Sequence, residues 1–218
     1  MSEQRTLLFC VPENHIRKVL RGCENSEKPF IISGGGREEL KAKLRRHRPT
    51  AVVADFDGTI CRGNSFTRLW SDLPIELRKI YQKILELYES NQMSGIEKAV
   101  LESGMVGLLA ASFGACKRSR WSIEDAAGDA VLRAGAKDFF DLFHPKNRCI
   151  VSLSIADYIR EVMRTNGIKI GHILGNELLY REDPQCPIED QRAAVAFAVQ
   201  PEIQITSETK WSAVWFPR

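Results

Sequence analysis

The chain has no CxxC pair, no HxxxH or HxH pair, no apolar run long enough to span a bilayer, and almost no net charge. Each absence excludes something. The six scattered cysteines, Cys10, Cys23, Cys61, Cys116, Cys149 and Cys186, lack zinc-site spacing and read as reduced thiols in a cytoplasm. His15, His47, His144 and His172 stand apart, so none is assigned to metal binding or catalysis. Lys and Arg total 31 against 28 Asp and Glu, and the resulting +3 gives little reason to expect a nucleic acid or membrane partner. MSEQRT leads into a short apolar run broken by Pro12, so no signal peptide is expected. Internal repeats and low-complexity tracts are missing as well.

What is present suits a globular protein: 44% hydrophobic and 27% charged residues over 218 positions, enough for one domain with an insertion. Short β-branched runs at 6–11, 29–33, 51–55, 148–152 and 168–173 alternate with helical patterns. That alternation predicts an α/β fold with a mainly parallel, Rossmann-like sheet. Between the third and fourth runs strand character almost vanishes. Leu77, Ile80, Tyr81, Ile84 and Tyr88 recur at helical spacing behind Pro74. Ser122 and Asp125 have capping-box spacing for a second helix through AAGDAVLRAGAKDFFDLF. Further on, ADYIREVMRTNG predicts a helix stopped at Asn166-Gly167 before a last strand, and 181–191, with Pro184 and Pro187, reads as a loop.

The most informative stretch is AVVADFDGTI at 51–60. A buried strand that ends in two acids is a poor way to build a core, because unpaired carboxylates resist burial. Placed at the carboxyl edge of a parallel sheet, however, Asp55 reaches the region where open α/β folds bind ligands. Gly58 allows a sharp turn that returns Asp57 beside it. Two carboxylates this close either recruit a hard cation such as Mg²⁺ or share a proton, and both outcomes suit phosphoryl transfer. Cys61 lies nearby with no partner in sequence and reads as a buried bystander.

DFDGTI resembles motif I of the haloacid dehalogenase (HAD) superfamily, and its surroundings resemble the phosphoserine phosphatase-like branch. The resemblance implies that Asp55 is the nucleophile, forming an aspartyl-phosphate, and that Asp57 is general acid and then base. It implies Mg²⁺ held by Asp55 and the Asp57 carbonyl, with Thr59 bracing the loop beside the phosphate. CIVSLSIADYI resembles motif II, which makes Ser152 the hydroxyl for a phosphate oxygen and Ser154 its close rival. Lys210, ending ITSETK, fits the motif III lysine that neutralises aspartate and phosphate charge. The chain then divides into an N-terminal βαβα extension at 1–48, a HAD-like core at 49–63 and 147–218, and a helical cap at 64–146 that excludes water and selects the substrate. Within that cap Trp70, Arg118, Arg120 and Trp121 are expected to serve packing and solvation.

Motif IV, a Gly-Asp followed by another acid, does not follow Lys210, where only WSAVWFPR remains. Three explanations stand: a truncated or frameshifted relative, a non-catalytic homologue kept for binding, or replacement of the missing elements by the first forty-eight residues, with Glu13 as substitute acid. The expected function is a Mg²⁺-dependent phosphomonoesterase acting on a small phosphorylated metabolite. The alternative is an impaired homologue that binds a phosphate ester or a protein partner. The glycine-rich turn at 34–36 and the cationic KAKLRRHR at 41–48 read as a tight connection and a solvated helix end.

Overall fold

The computed structural model describes residues 7–10, 30–32, 42, 44–46, 49–90, 93–116, 118–182 and 195–199. The described strands of the main sheet are β1 (Leu7–Cys10), β2 (Phe30–Ile32), β3 (Ala51–Asp55), β6 (Arg148–Ile155) and β7 (His172–Asn176), with β3 and β6 almost wholly buried. They form one sheet in the order β2-β1-β3-β6-β7, with every neighbouring pair parallel. The expected Rossmann-like sheet is therefore present, and β3 lies at its centre. On one side Asp55 pairs with Val151, while on the other Ala54 pairs with Cys10. Strands β1 and β2 belong to the same sheet as the acid-bearing strand, on the side opposite β6. Glu13 and the glycine-rich turn at 34–36 lie outside the described residues.

The chain leaves β3 through the acidic turn and makes β4 (Cys61–Arg62), which pairs antiparallel with β5 (Val131–Leu132). Helices fill the interval: α1 (Ser65–Ser71), α2 (Ile75–Glu89), α3 (Gly95–Ala115) and α4 (Arg120–Gly128). Trp70 stacks on Tyr81 at 5.0 Å between ring centroids, locking α1 to α2, and the Tyr88 hydroxyl donates to buried Glu102 at 2.8 Å, joining α2 to α3. Trp70 is thus a packing residue, as expected for this segment. Arg118 donates to the Asp72 carbonyl, and Trp121 is exposed. After β5 come α5 (Ala136–Phe140) and, beyond β6, α6 (Ala156–Thr165), whose Tyr158, Ile159, Val162 and Met163 are buried.

Three local expectations need correction. Ser122 does not open a helix: α4 starts earlier, behind Ser119, and the reciprocal capping box of this region is Ser94 with Glu97 at the head of α3. The continuous helix expected from Ala126 to Phe143 is interrupted, because β5 is drawn into pairing with β4 and Gly135 adopts φ +83°. The last core strand begins at His172 and not at 168, since Ile168 is taken up by the end of α6, donating to the Met163 carbonyl at 2.9 Å. The helix stop at Asn166-Gly167 is where it was expected, with Gly167 at φ +65°. A hairpin of β8 (Leu178–Glu182) and β9 (Val195–Val199), absent from the sequence reading, follows β7, and β9 runs beside α3.

Gly171 carries the turn into β7. A Cβ there would lie 2.7 Å from the Pro145 carbonyl oxygen and 2.9 Å from backbone atoms of Lys146. Backbone on both sides cannot yield cheaply, so Gly171→Ala is expected to lower stability by about 1–3 kcal/mol in urea unfolding. Gly167→Ala tests the contrast, since its Cβ would meet open space and its cost would come from φ alone.

Candidate active site

Burial of Val52, Val53 and Ala54 drives β3 into the sheet and delivers Asp55, 4% exposed, at the carboxyl edge. The chain then turns tightly: the amides of Thr59, Ile60 and Cys61 all donate to the Phe56 carbonyl, at 3.2, 2.9 and 2.9 Å. Gly58 sits at φ +70°, a conformation that costs glycine little and other residues more. The sharp turn expected at Gly58 is therefore present. Within the turn the Thr59 hydroxyl donates to Asp55 Oδ2 at 3.0 Å, fixing the orientation of that carboxylate.

Asp57 is partly exposed and is held from the insertion side. The Ser65 amide donates to its Oδ1 at 2.9 Å, and the Ser65 hydroxyl to its Oδ2 at 2.7 Å. Ser65 is the first residue of α1, behind the Asn64 cap, whose side chain accepts from the Thr67 amide. Sequence reasoning missed Ser65. Its signal was available in Asn64-Ser65, a strong helix-start pair within one loop of the acids.

Strand β6 brings Ser152 to the same edge, one residue beyond Val151, the partner of Asp55. Ser152 is 1% exposed and its Oγ accepts from the Ser154 amide at 3.1 Å. Ser154 is fully buried, and its Oγ has no hydrogen-bond partner among the described residues. Asn176, at the end of β7, donates to the Leu153 carbonyl and steadies this turn. Lys210 lies outside the described residues.

Cys61 is buried next to the acidic turn, its thiol directed at the Arg62 and Val131 carbonyls. Burial, reinforced by the charge of Asp57, pushes its thiol up from the ordinary range, so it stays protonated and is no nucleophile. The bystander reading is consistent with this. Burial likewise pushes up the Tyr158 and Tyr81 hydroxyls, with Asp57 adding to both, so neither is a base at neutral pH. Among the described residues no group of three His, Cys, Asp or Glu side chains is placed to hold a metal. Also among them, no single helix is long and apolar enough to cross a membrane, and Cys61, Cys116 and Cys149 are free thiols.

No protein-family profile matches the sequence, and neither does any curated protein. Among solved structures, cytosolic 5'-nucleotidase IIIB bound to cytidine aligns with a TM-score of 0.50 and 20% identity, over 69% of this chain and 53% of that one. A HAD family hydrolase from Salmonella enterica subsp. enterica serovar Typhi aligns at 0.42 and 10%, over 66% and 50%. A phospho-aspartyl intermediate analogue of phosphoserine phosphatase aligns at 0.40 and 13%, over 61% and 58%. The chain thus spans about half the length of the structures it resembles. The five parallel strands, with the DFDGT turn leaving the central one and helices inserted between two short antiparallel strands, have a fold similar to that of cytosolic 5'-nucleotidase IIIB.

Proposed function

We propose that this protein is a phosphomonoesterase that acts on a small phosphorylated metabolite through a covalent phosphate on Asp55. The observation that carries the reading is the pair of differently held acids at one sheet edge: Asp55 buried and oriented by Thr59, Asp57 partly exposed and gripped by Ser65. Burial and a single fixed orientation suit a nucleophile. Partial exposure suits a group that must exchange protons with a leaving group and with water.

An Asp55 carboxylate oxygen attacks phosphorus, and the ester oxygen leaves with the proton carried by Asp57. Asp57, now a carboxylate, removes a proton from water, whose oxygen attacks the aspartyl-phosphate, releasing inorganic phosphate and restoring Asp55. Ser65 serves both halves, because a hydroxyl donates to the carboxylate and turns to accept when Asp57 is protonated. Ser152 is the residue proposed to hold a phosphate oxygen, and Lys210 to neutralise charge on it. The donors Asp55 carboxylate and Asp57 carbonyl are hard oxygens, a chemistry that fits Mg²⁺. When bound, that ion neutralises phosphate oxygens and aligns the ester. The division into a core and a helical cap that selects substrate is part of the same proposal.

The test is phosphate release from a panel of phosphomonoesters that includes a nucleoside 5'-monophosphate, with and without Mg²⁺. Release that needs Mg²⁺ is expected. A second reading, a binding homologue without turnover, is favoured by the lack of a three-ligand cluster among the described residues. Ligand-induced thermal stabilisation without any phosphate release decides for that reading.

A further inference from the structure

Both ends of the helical insertion are fastened to the acidic turn. On the outgoing side the Gly58 amide donates to the Gly63 carbonyl at 3.2 Å, and Ser65 grips Asp57. On the returning side a single residue makes three bonds. The Arg133 amide donates to the Ile60 carbonyl at 2.9 Å, and its guanidinium donates to the Gly58 carbonyl through Nε at 3.0 Å and a terminal nitrogen at 2.6 Å. Arg133 follows β5 directly, so it stands where the chain re-enters the core.

The Gly58 peptide is the hinge of the turn. The Gly58 carbonyl belongs to the Gly58-Thr59 peptide, whose Thr59 amide gathers with those of Ile60 and Cys61 on the Phe56 carbonyl. Gly58 alone in this turn has φ near +70° and no side chain to restrict rotation of its flanking peptides. Two charge-assisted donors from one planar guanidinium converge on that carbonyl oxygen and restrict the rotation. Lysine offers a point charge without the fork and cannot reproduce the pair.

We propose that Arg133 is a positioning residue that sets the Gly58 peptide, and through it the orientation of Asp57 relative to Asp55. It touches neither phosphate nor ester. Its effect falls on the proton-transfer geometry, where a displacement of about 1 Å costs on the order of a hundredfold in rate. The inference rests on the reading of Asp57 as acid and base given above.

The experiment uses the full chain as wild type, Arg133→Ala and Arg133→Lys, and reads two quantities. The first is amide hydrogen exchange at Thr59, Ile60 and Cys61, compared with Val151 in the sheet. Exchange at the turn is expected to rise at least about tenfold in Arg133→Ala with Val151 unchanged, as local opening without global unfolding requires. The second is steady-state kinetics on whichever phosphomonoester the wild type hydrolyses. There kcat is expected to fall at least about tenfold with KM within about twofold, Arg133→Lys falling between, and added guanidinium restoring part of the loss in Arg133→Ala. Unchanged exchange at the turn overturns the proposal, and so does raised exchange with kcat unchanged in an active protein. Should the wild type release no phosphate, the phosphatase reading fails, while the exchange arm still decides whether Arg133 holds the turn.

Discussion

Replacing Asp55 by asparagine is expected to reduce phosphate release by at least about a thousandfold, to the background of the assay. The substitution keeps shape and keeps an oxygen to accept the Thr59 hydroxyl, but an amide has no anionic oxygen with which to attack phosphorus. Because the change is nearly isosteric, the melting temperature is expected to stay within a few degrees of wild type. That combination separates a lost nucleophile from a lost fold. Asp57→Asn should behave differently: its deficit should be small for an ester whose leaving group needs no proton, such as a nitrophenyl phosphate, and large for an alkyl phosphate. Substantial turnover by Asp55→Asn on any substrate would remove the covalent mechanism.

The second large effect is expected on stability, at Arg148. This residue opens β6 with its side chain 7% exposed, donating from Nε to the Phe143 carbonyl at 2.9 Å and from a terminal nitrogen to the Lys169 carbonyl at 3.0 Å. It thereby ties together the ends of three segments: the chain after α5, the start of β6, and the approach to β7. Arg148→Met keeps the stem packing and leaves both carbonyls without those donors, each at a cost of about 1–3 kcal/mol. A total near 4 kcal/mol is a large part of a typical stability of about 5–15 kcal/mol and corresponds to a fall in melting temperature of roughly 10 °C. Its ion pair with Asp141 at 3.3 Å contributes little, because that carboxylate is half exposed. Lys137 first, and Arg148 after it, hold the Asp141 carboxyl below the usual range. Its contribution is therefore present above the ordinary aspartate pKa and fades as pH falls through the depressed value. Asp141→Asn should shift the melt far less than Arg148→Met at neutral pH, and a comparable shift would mean that the charge pair, not the carbonyls, is what matters.

The features legible in the sequence were those fixed by local pattern. AVVAD declared a buried strand and Gly58 its turn. Ser152 followed from a strand running into a helix, although β6 continues through Ile155, farther than 148–152. Illegible were the contacts that cross the insertion. Arg133 reaches Gly58 from far along the chain, and an exposed arginine after a two-residue strand carries no periodic signature. Val131-Leu132 reads as helix because its β-pairing with Cys61-Arg62 is equally remote. Long-range pairing overrode local preference there, as it does wherever a short segment has a ready partner.

The strand order also has a temporal meaning. Strands β2, β1 and β3 are consecutive in synthesis and adjacent in space, whereas β6 waits for residues 56–147 to be made. At ribosomal speeds that interval lasts roughly 5 to 18 seconds. The strand bearing the acids thus forms the seam between an early half and a late half of the molecule. Until β6 is made, β3 lacks the strand that pairs with Val52 through Asp55, and Ser152 cannot stand beside Asp55.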